Sequence, residues 1–297
     1  MTSPEVGPLF GAVVANALDA EWRRLGEPAD FVVTEVGAGP GSLARSVLFA
    51  EPACREALMY RTVERSALQR SHHPDGVEIH TTFPTEPVVG VVFANELLDN
   101  LPFTPVQSDG EKWYEIRVIE RDGQLIEFPV LAEAPLAGVC NERFDVLSSG
   151  RRYLQSEATE WVSSAQASLL AGRLIVIDYA RDSSAEVMVR TYAEHGHAGD
   201  PLEGLGTKDI TIDVDLKQMQ KAHGEGFTHR PQAEWLAEHD IESLVEQGRA
   251  AWSAGAATGD LAALRGRSRV REAEALRDIE GLGSFQVLEW GKDFAQP

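Results

Sequence analysis

The segment 31–49, FVVTEVGAGPGSLARSVLF, constrains the fold more than any other part of the chain. Its first six residues form a short apolar run, as in a strand covered on both faces of a parallel sheet. Gly37, Gly39 and Gly41 then occupy three of five positions. Behind them Leu43, Ala44, Val47 and Leu48 recur at helical spacing until Pro52. The reading is strand, bare turn, helix, with Ser42 or its neighbour capping the helix. That is the first half of a βαβ crossover.

The rest of the chain repeats the alternation. A helix is predicted over 8–25, with Leu9, Val13, Val14, Ala17 and Leu18 on one face. Further strands are predicted at 58–64, 76–83, 88–96 and 172–180. The fourth, VVGVVFANE, is nearly all apolar and therefore central. A helix with its stripe on Ala158, Trp161, Val162, Ala165 and Leu169 precedes the fifth. Strands alternating with helices imply an α/β fold, a parallel sheet with helices on both faces. Residues 104–130 break the rhythm. Two Asp-Gly turns, at 109–110 and 122–123, separate β-rich runs, as in an antiparallel meander inserted beside the sheet. The C-terminal third reads as mostly helical and closes on a late strand at 283–292. The organisation expected is a single domain over 1–297, with its core at about 29–103 and 150–297 and the meander at about 104–130.

Charge narrows the partners. The 297 residues carry 27 basic and 47 acidic side chains, a net charge of 27 − 47 = −20. Phosphate affinity rests on Lys and Arg, so a nucleic-acid binder is disfavoured. Cys54 and Cys140 are the only cysteines, too few for a disulfide framework or a paired-Cys zinc motif. The start, MTSPEVGPLFGAVV, lacks the regions of a signal peptide, and no apolar stretch is long enough to cross a bilayer. A cytoplasmic protein without membrane segments is expected. The one dense basic run, RGRSRVR at 265–271, reads either as a solvated helix face or as a dock for an acidic partner.

Glycines at the turn let the backbone take unusual dihedrals and let a ligand lie against it. A dinucleotide site wants its third glycine three places after the second. Here Ser42 stands there and Gly41 comes one residue early. The spacing with Glu35 two residues before Gly37 looks instead like the first motif of S-adenosylmethionine-dependent methyltransferases. An acid suits a cofactor that carries an ammonium, and Glu35 would orient the loop and attract that cation, directly or through water. A ligand-free βα turn and an NAD-linked enzyme remain open alternatives. Glu64 ends the second strand, where a carboxylate can accept from both ribose hydroxyls. His80 or Thr81, at the third strand end, would face the adenine. Asn95, Glu96 and Asp99 follow the apolar fourth strand at the ligand-binding edge. Glu96 and Asp99 are spaced as neighbours on a helical turn, and an acid-rich helix start is the plainer reading.

Taken in order, EVGAGPGSLARSVL, YRTVERSALQR, VVFANELLDNLPF, GRLIVIDYA and GTKDITIDVD resemble the MidA-like methyltransferases. That family includes a mitochondrial complex I assembly factor that methylates an arginine. The resemblance covers most of the chain. It implies a Rossmann-like class I methyltransferase fold and S-adenosyl-L-methionine as cofactor. It implies that Gly37, Gly39, Gly41 and Glu64 hold the cofactor, with Glu35, His80 and Asn95 beside it. Asn95, Glu96 and Asp99 would line the methyl-transfer cleft as catalytic residues. Family members usually extend upstream of the segment matching Thr2–Gly11, so either a shortened N-terminus or a misassigned start codon is expected. Residues 188–215 also look family-like and read as a long loop leading into a helix, in which Arg190, Tyr192, His195 and Asp209 could shape a substrate pocket. The HGH at 195–197 has no further ligands at a recognised spacing, so no metal is expected.

If the acceptor is arginine, carboxylates become necessary. A guanidinium stays protonated and offers no free lone pair. Two carboxylates can grip its N–H groups, aim one nitrogen and receive a proton. Glu96 and Asp99 are the candidates. The expected partner is a protein substrate. A small-molecule methyl acceptor, or a non-catalytic assembly role, would fit the same fold. The meander could cover the site or build a homodimer interface.

Overall fold

The computed structural model describes residues 2–144, 149–181, 187–193, 196–197, 199–223, 226–255 and 260–294. They form two compact units. The first comprises residues 1–97, 164–178 and 226–297; the second comprises 98–163 and 179–225.

The first unit is built on a seven-stranded sheet. Its strands are β1 (Phe31–Val36), β2 (Leu58–Val63), β3 (Glu78–His80), β4 (Val88–Asn95), β5 (Leu169–Asp178), β6 (Phe227–Pro231) and β7 (Gln286–Lys292). The spatial order is β6-β7-β5-β4-β1-β2-β3. From β3 to β5 all pairs are parallel. β7 runs antiparallel to both β5 and β6. The order turns back at β1, with β2 on one side and β4 on the other. The carboxyl ends of these strands therefore frame the crevice in which open α/β sheets bind ligands.

Helices flank the sheet: α1 (Pro8–Arg24), α2 (Ser42–Phe49), α3 (Gln232–Glu238), α4 (Ile241–Gly255) and α5 (Leu261–Arg277). Phe10, Val13 and Leu18 of α1 meet Phe31, Val33, Val91, Phe93 and Ile177 of the strands in one buried cluster, which Trp235 and Leu236 of α3 extend. All six residues of β1 are buried, Thr34 and Glu35 included, as in a strand covered on both faces. The sequence reading found β1 to β5 and β7 but missed β6. None of the described helices is long and apolar enough to cross a membrane.

In the second unit, four antiparallel strands stand in the order Gln124–Leu131, Trp113–Arg121, Thr104–Ser108, Gly150–Leu154. The meander read from the two Asp-Gly turns is present. Asp122 and Gly123 both take positive φ, 52° and 78°, as a tight hairpin turn demands. Val106, Trp113, Cys140 and Leu154 form its core. One expectation is corrected here. The stretch 188–215 is not one long loop. Val189–Ala193 pairs antiparallel with Gly196–His197 and Asp209–Ile212, because alternating β-prone residues in VRTYA and DITI complete a small ladder. Arg190 is ion-paired with the buried Asp213, which Arg181 also engages. Tyr192 stands opposite Asp209. His195 lies outside the described residues.

Candidate active site

The glycine turn leaves β1 with three left-handed residues: φ is 72° at Gly37, 52° at Gly39 and 73° at Gly41. Side-chain-bearing residues resist this region. Two N–H groups, of Gly37 and Ala38, donate to the Val63 carbonyl at 2.9 and 3.2 Å, tying the turn to β2. Gly41, not Ser42, is the N-cap residue of α2, and no side chain caps that helix. The reason is conformational. The chain enters the helix from the left-handed region, a place for glycine and not for serine.

Two side chains hold the middle of the turn. The Gly39 N–H donates to Glu64 Oε2 at 2.9 Å. The Gly39 carbonyl meets His73 Nε2 at 2.8 Å, and His73 Nδ1 meets the Thr62 hydroxyl at 2.9 Å. Both polar groups at Gly39 are thus bound from the β2 side. A methyl group placed on Gly39 would meet nothing within 4 Å, so its other side is open. A methyl on Gly41 would press on Pro74 Cδ and His73 Cδ2 at 3.0 and 3.1 Å.

Glu64 follows β2 directly. Its other oxygen accepts from Ser66 N–H at 2.7 Å. A carboxylate has about four lone-pair sites, so acceptor capacity remains for further donors. Arg70 donates to the backbone carbonyls of Glu64 and Arg65 and fixes this corner.

Glu35 sits elsewhere than the simplest expectation. It is buried, and the Tyr60 hydroxyl donates to it at 2.8 Å. Burial pushes its carboxyl up to about 8, although Tyr60 and the Ala44 N–H both favour the charged form. The same burial and the neighbouring carboxyl raise the Tyr60 phenol. Glu35 ties β1 to β2 and to the first turn of α2.

Two buried polar atoms at this edge have no hydrogen-bond partner: His80 Nε2, at the end of β3, and Asn95 Oδ1, at the end of β4. Glu78 approaches His80 only to 3.7 Å, an ion-pair distance too long for a hydrogen bond. Thr81 is exposed. Asn95 Nδ2 donates to Glu96 Oε1 at 3.0 Å. Glu96 takes φ 51°, in the left-handed region, while its N–H continues the ladder to Ile177 O at 2.8 Å. The helical turn expected to carry both Glu96 and Asp99 is shorter than that. It is a 3-10 turn over Leu98–Asn100, and Glu96 stands outside it. Asp99 belongs to the second unit, where Asn100 Nδ2 donates to it at 2.8 Å. Asp178, not singled out in the sequence, ends β5 fully buried, one residue beyond the Ile177 that pairs with Asn95.

These features fit a nucleoside ligand. The open side of Gly39 admits a ligand against the backbone. Glu64 has spare acceptors for paired hydroxyls. Buried polar groups are normally satisfied, so His80 Nε2 and Asn95 Oδ1 point to partners outside the chain. Among the described residues no three His, Cys, Asp or Glu side chains are grouped to hold a metal.

Comparison with known proteins agrees. A family model described as "Putative S-adenosyl-L-methionine-dependent methyltransferase" matches residues 13–232. The chain is 28% identical over 275 residues to the mitochondrial protein arginine methyltransferase NDUFAF7 homolog of Drosophila melanogaster, covering 77% of this chain and 61% of that protein. It is 25% identical over 264 residues to mitochondrial NDUFAF7 of Danio rerio, covering 76% and 61%. The chain thus spans about 61% of the length of these relatives. Its fold matches a crystal structure from Burkholderia thailandensis bound to S-adenosyl-homocysteine, with a TM-score of 0.81 at 24% identity, covering 99% of this chain and 79% of that one.

Proposed function

The chain belongs to this family of S-adenosyl-L-methionine-dependent methyltransferases, and from that premise we propose that it methylates an arginine side chain of a protein. The observation that carries the proposal is the Asn95–Glu96 pair. It joins a linked amide and carboxylate, in a left-handed backbone, to the carboxyl edge of β4. The names of the curated relatives support the acceptor class.

When bound, S-adenosyl-L-methionine supplies an electrophilic methyl group. In this reading Gly37, Gly39 and Gly41 receive it against bare backbone, and Glu64 accepts from its ribose hydroxyls. His80 offers its unpaired ring nitrogen to the base, and Asn95 Oδ1 offers an acceptor at the β4 end. Glu35 acts from beneath, holding β1, β2 and α2 in register. Glu96 grips the acceptor's guanidinium through charge-assisted hydrogen bonds, aims one nitrogen, and takes up the proton that nitrogen loses.

The test is Glu96→Gln. Transfer from labelled cofactor to protein in a lysate should be lost, while cofactor affinity measured by calorimetry stays within about threefold, a change under 1 kcal/mol. Undiminished transfer removes Glu96 from the mechanism. Label entering small metabolites in place of protein replaces the acceptor class.

A further inference from the structure

The basic run at 265–271 lies on α5, beyond the segment that the family model matches. In a chain with 47 acidic and 27 basic side chains, a cation usually finds a carboxylate. Arg249 and Arg277, on α4 and α5, do so through Glu246 and Glu242. Among the described residues Arg265, Arg267, Arg269 and Arg271 form no ion pair. Two of them are held by aromatic rings instead. The Arg265 guanidinium lies 5.2 Å from the ring centre of Phe49, and that of Arg267 lies 5.2 Å from Trp252. Such stacking fixes a guanidinium while leaving its N–H edge free for a carboxylate.

Arg265 and Arg269 are four residues apart, on one face of α5; Arg269 Nη1 donates to the Leu244 carbonyl at 3.4 Å, and its charge has no carboxylate beside it among the described residues. That face borders a hollow of about 570 Å³ in the first unit, walled by α1, α2, α4 and α5. Ala12, Ala15, Phe49 and Leu244 give it an apolar lining. Its three acids are already engaged: Glu51, at the exposed rim, is ion-paired with Arg55. Glu272 accepts from Leu9 N–H and the Ser268 hydroxyl, and Asp19 accepts from the N–H groups of Ala53 and Cys54. The free charge at the rim is therefore positive. Phe49, in its lining, remains 60% exposed. Arginine and aromatic side chains around an apolar depression are the composition of an interface centre.

We propose that this face docks an acidic segment of a partner protein. Carboxylates engage Arg265 and Arg269, and one apolar side chain fills the hollow. Charge complementarity selects the occupant. A net charge of −20 repels every polyanion at long range, and the repulsion grows with the partner's charge, so it is greatest for a nucleic acid or an anionic membrane. A short acidic segment can approach one local cationic face. A polyphosphate backbone also has no apolar side chain for the hollow. The site is separate from Glu96, and the proposal does not depend on which acceptor is methylated.

The test uses the full chain and a fluorescein-labelled peptide alternating glutamate with leucine, read by anisotropy. The peptide should bind, and added salt should weaken it. A glutamine-for-glutamate version should not bind. Arg265→Glu with Arg269→Glu should weaken binding at least about tenfold, the loss of roughly 1.4 kcal/mol. Melting temperature and S-adenosyl-L-methionine affinity should be unchanged. If the reversal does not fold, Arg265→Gln with Arg269→Gln serves, with a smaller loss in the same direction. No binding of the acidic peptide, equal binding by the variants, or preferential binding of duplex DNA or phosphatidylserine vesicles overturns the proposal.

Discussion

Replacing Glu35 by Gln tests the buried corner beneath the glycine turn. In the folded protein the carboxyl titrates near 8; its ordinary value is 4.5. Between these values the folded state holds a proton that the unfolded chain has released. Stability therefore falls as pH rises, by about 1.4 kcal/mol per unit. His239 has the opposite sign. Burial, then the charges of Arg230 and Arg173, lower its ring from 6.5 to about 4. From pH 4 to 6.5 the unfolded chain binds the extra proton, so stability rises with pH and offsets Glu35. Above 6.5 His239 is silent, and the Glu35 contribution continues up to about 8. That window isolates a loss of about 2 kcal/mol. Gln keeps an acceptor for Tyr60 and for the Ala44 N–H but does not titrate. Urea midpoints of the wild type and Glu35→Gln, measured from pH 6 to 8.5, should converge or cross, with the wild type losing about 2 kcal/mol relative to the variant. Parallel curves would show that Glu35 is already ionised at pH 6.5 and would refute the account of the corner.

Three substitutions separate stability from cofactor binding. Gly41→Ala places a methyl against Pro74 and His73 at a φ of 73°. A stability loss of about 2 kcal/mol is expected by calorimetric melting, from left-handed strain plus crowding. Gly39→Ala meets no protein atom, so it should cost only about 1 kcal/mol of stability. Its methyl occupies the open side of the turn, so S-adenosyl-L-methionine affinity should fall by more than about tenfold in calorimetric titration. Glu64→Ala removes the carboxylate proposed to accept from the ribose hydroxyls. Loss of about 2–3 kcal/mol of charge-assisted bonding raises the dissociation constant roughly 30- to 150-fold. Unchanged affinity would place the sugar elsewhere.

Much of this was legible because burial leaves a one-dimensional trace. Strands β1, β4 and β5 are covered on both faces, so each reads as an apolar run, and a polar residue at the end of such a run stands out. That contrast exposed Asn95 and Glu96. Asp178 carries the same signal in LIVID and was available by the same argument. β6 left no such trace. It is an edge strand, paired only with β7, and Thr228 and His229 face solvent. His73 was illegible for a different reason. Nothing in SHHPDG distinguishes one histidine from its neighbour. Only the packed turn shows that His73 reaches Gly39 and Thr62 while His72 bonds back to Leu68 O. Glu35 was legible as an acid before a glycine turn. Its depth was not, because depth follows from Tyr60 on the next strand.

The site also shows where the fold keeps its strain. Glu96 bears a side chain in a conformation that costs of order 1–3 kcal/mol, and its neighbour leaves Asn95 Oδ1 buried without a partner. Neither is relieved locally, although a glycine at 96 would take the same backbone freely. The surrounding sheet can hold both. β4 is paired with β5 along its length and with β1 over residues 90–94, and the Glu96 N–H stays in the ladder to β5. A backbone held in the β5 ladder through residue 96 is not free to turn to solvent or to a substitute partner. The carboxylate at 96 and the free amide oxygen at 95 are thus presented at the sheet edge before any ligand arrives, the preorganisation that catalysis by positioning requires. The glycine turn completes the same design from the other side of β1, where bare backbone is clamped by Glu64 and His73 and left open only towards the crevice.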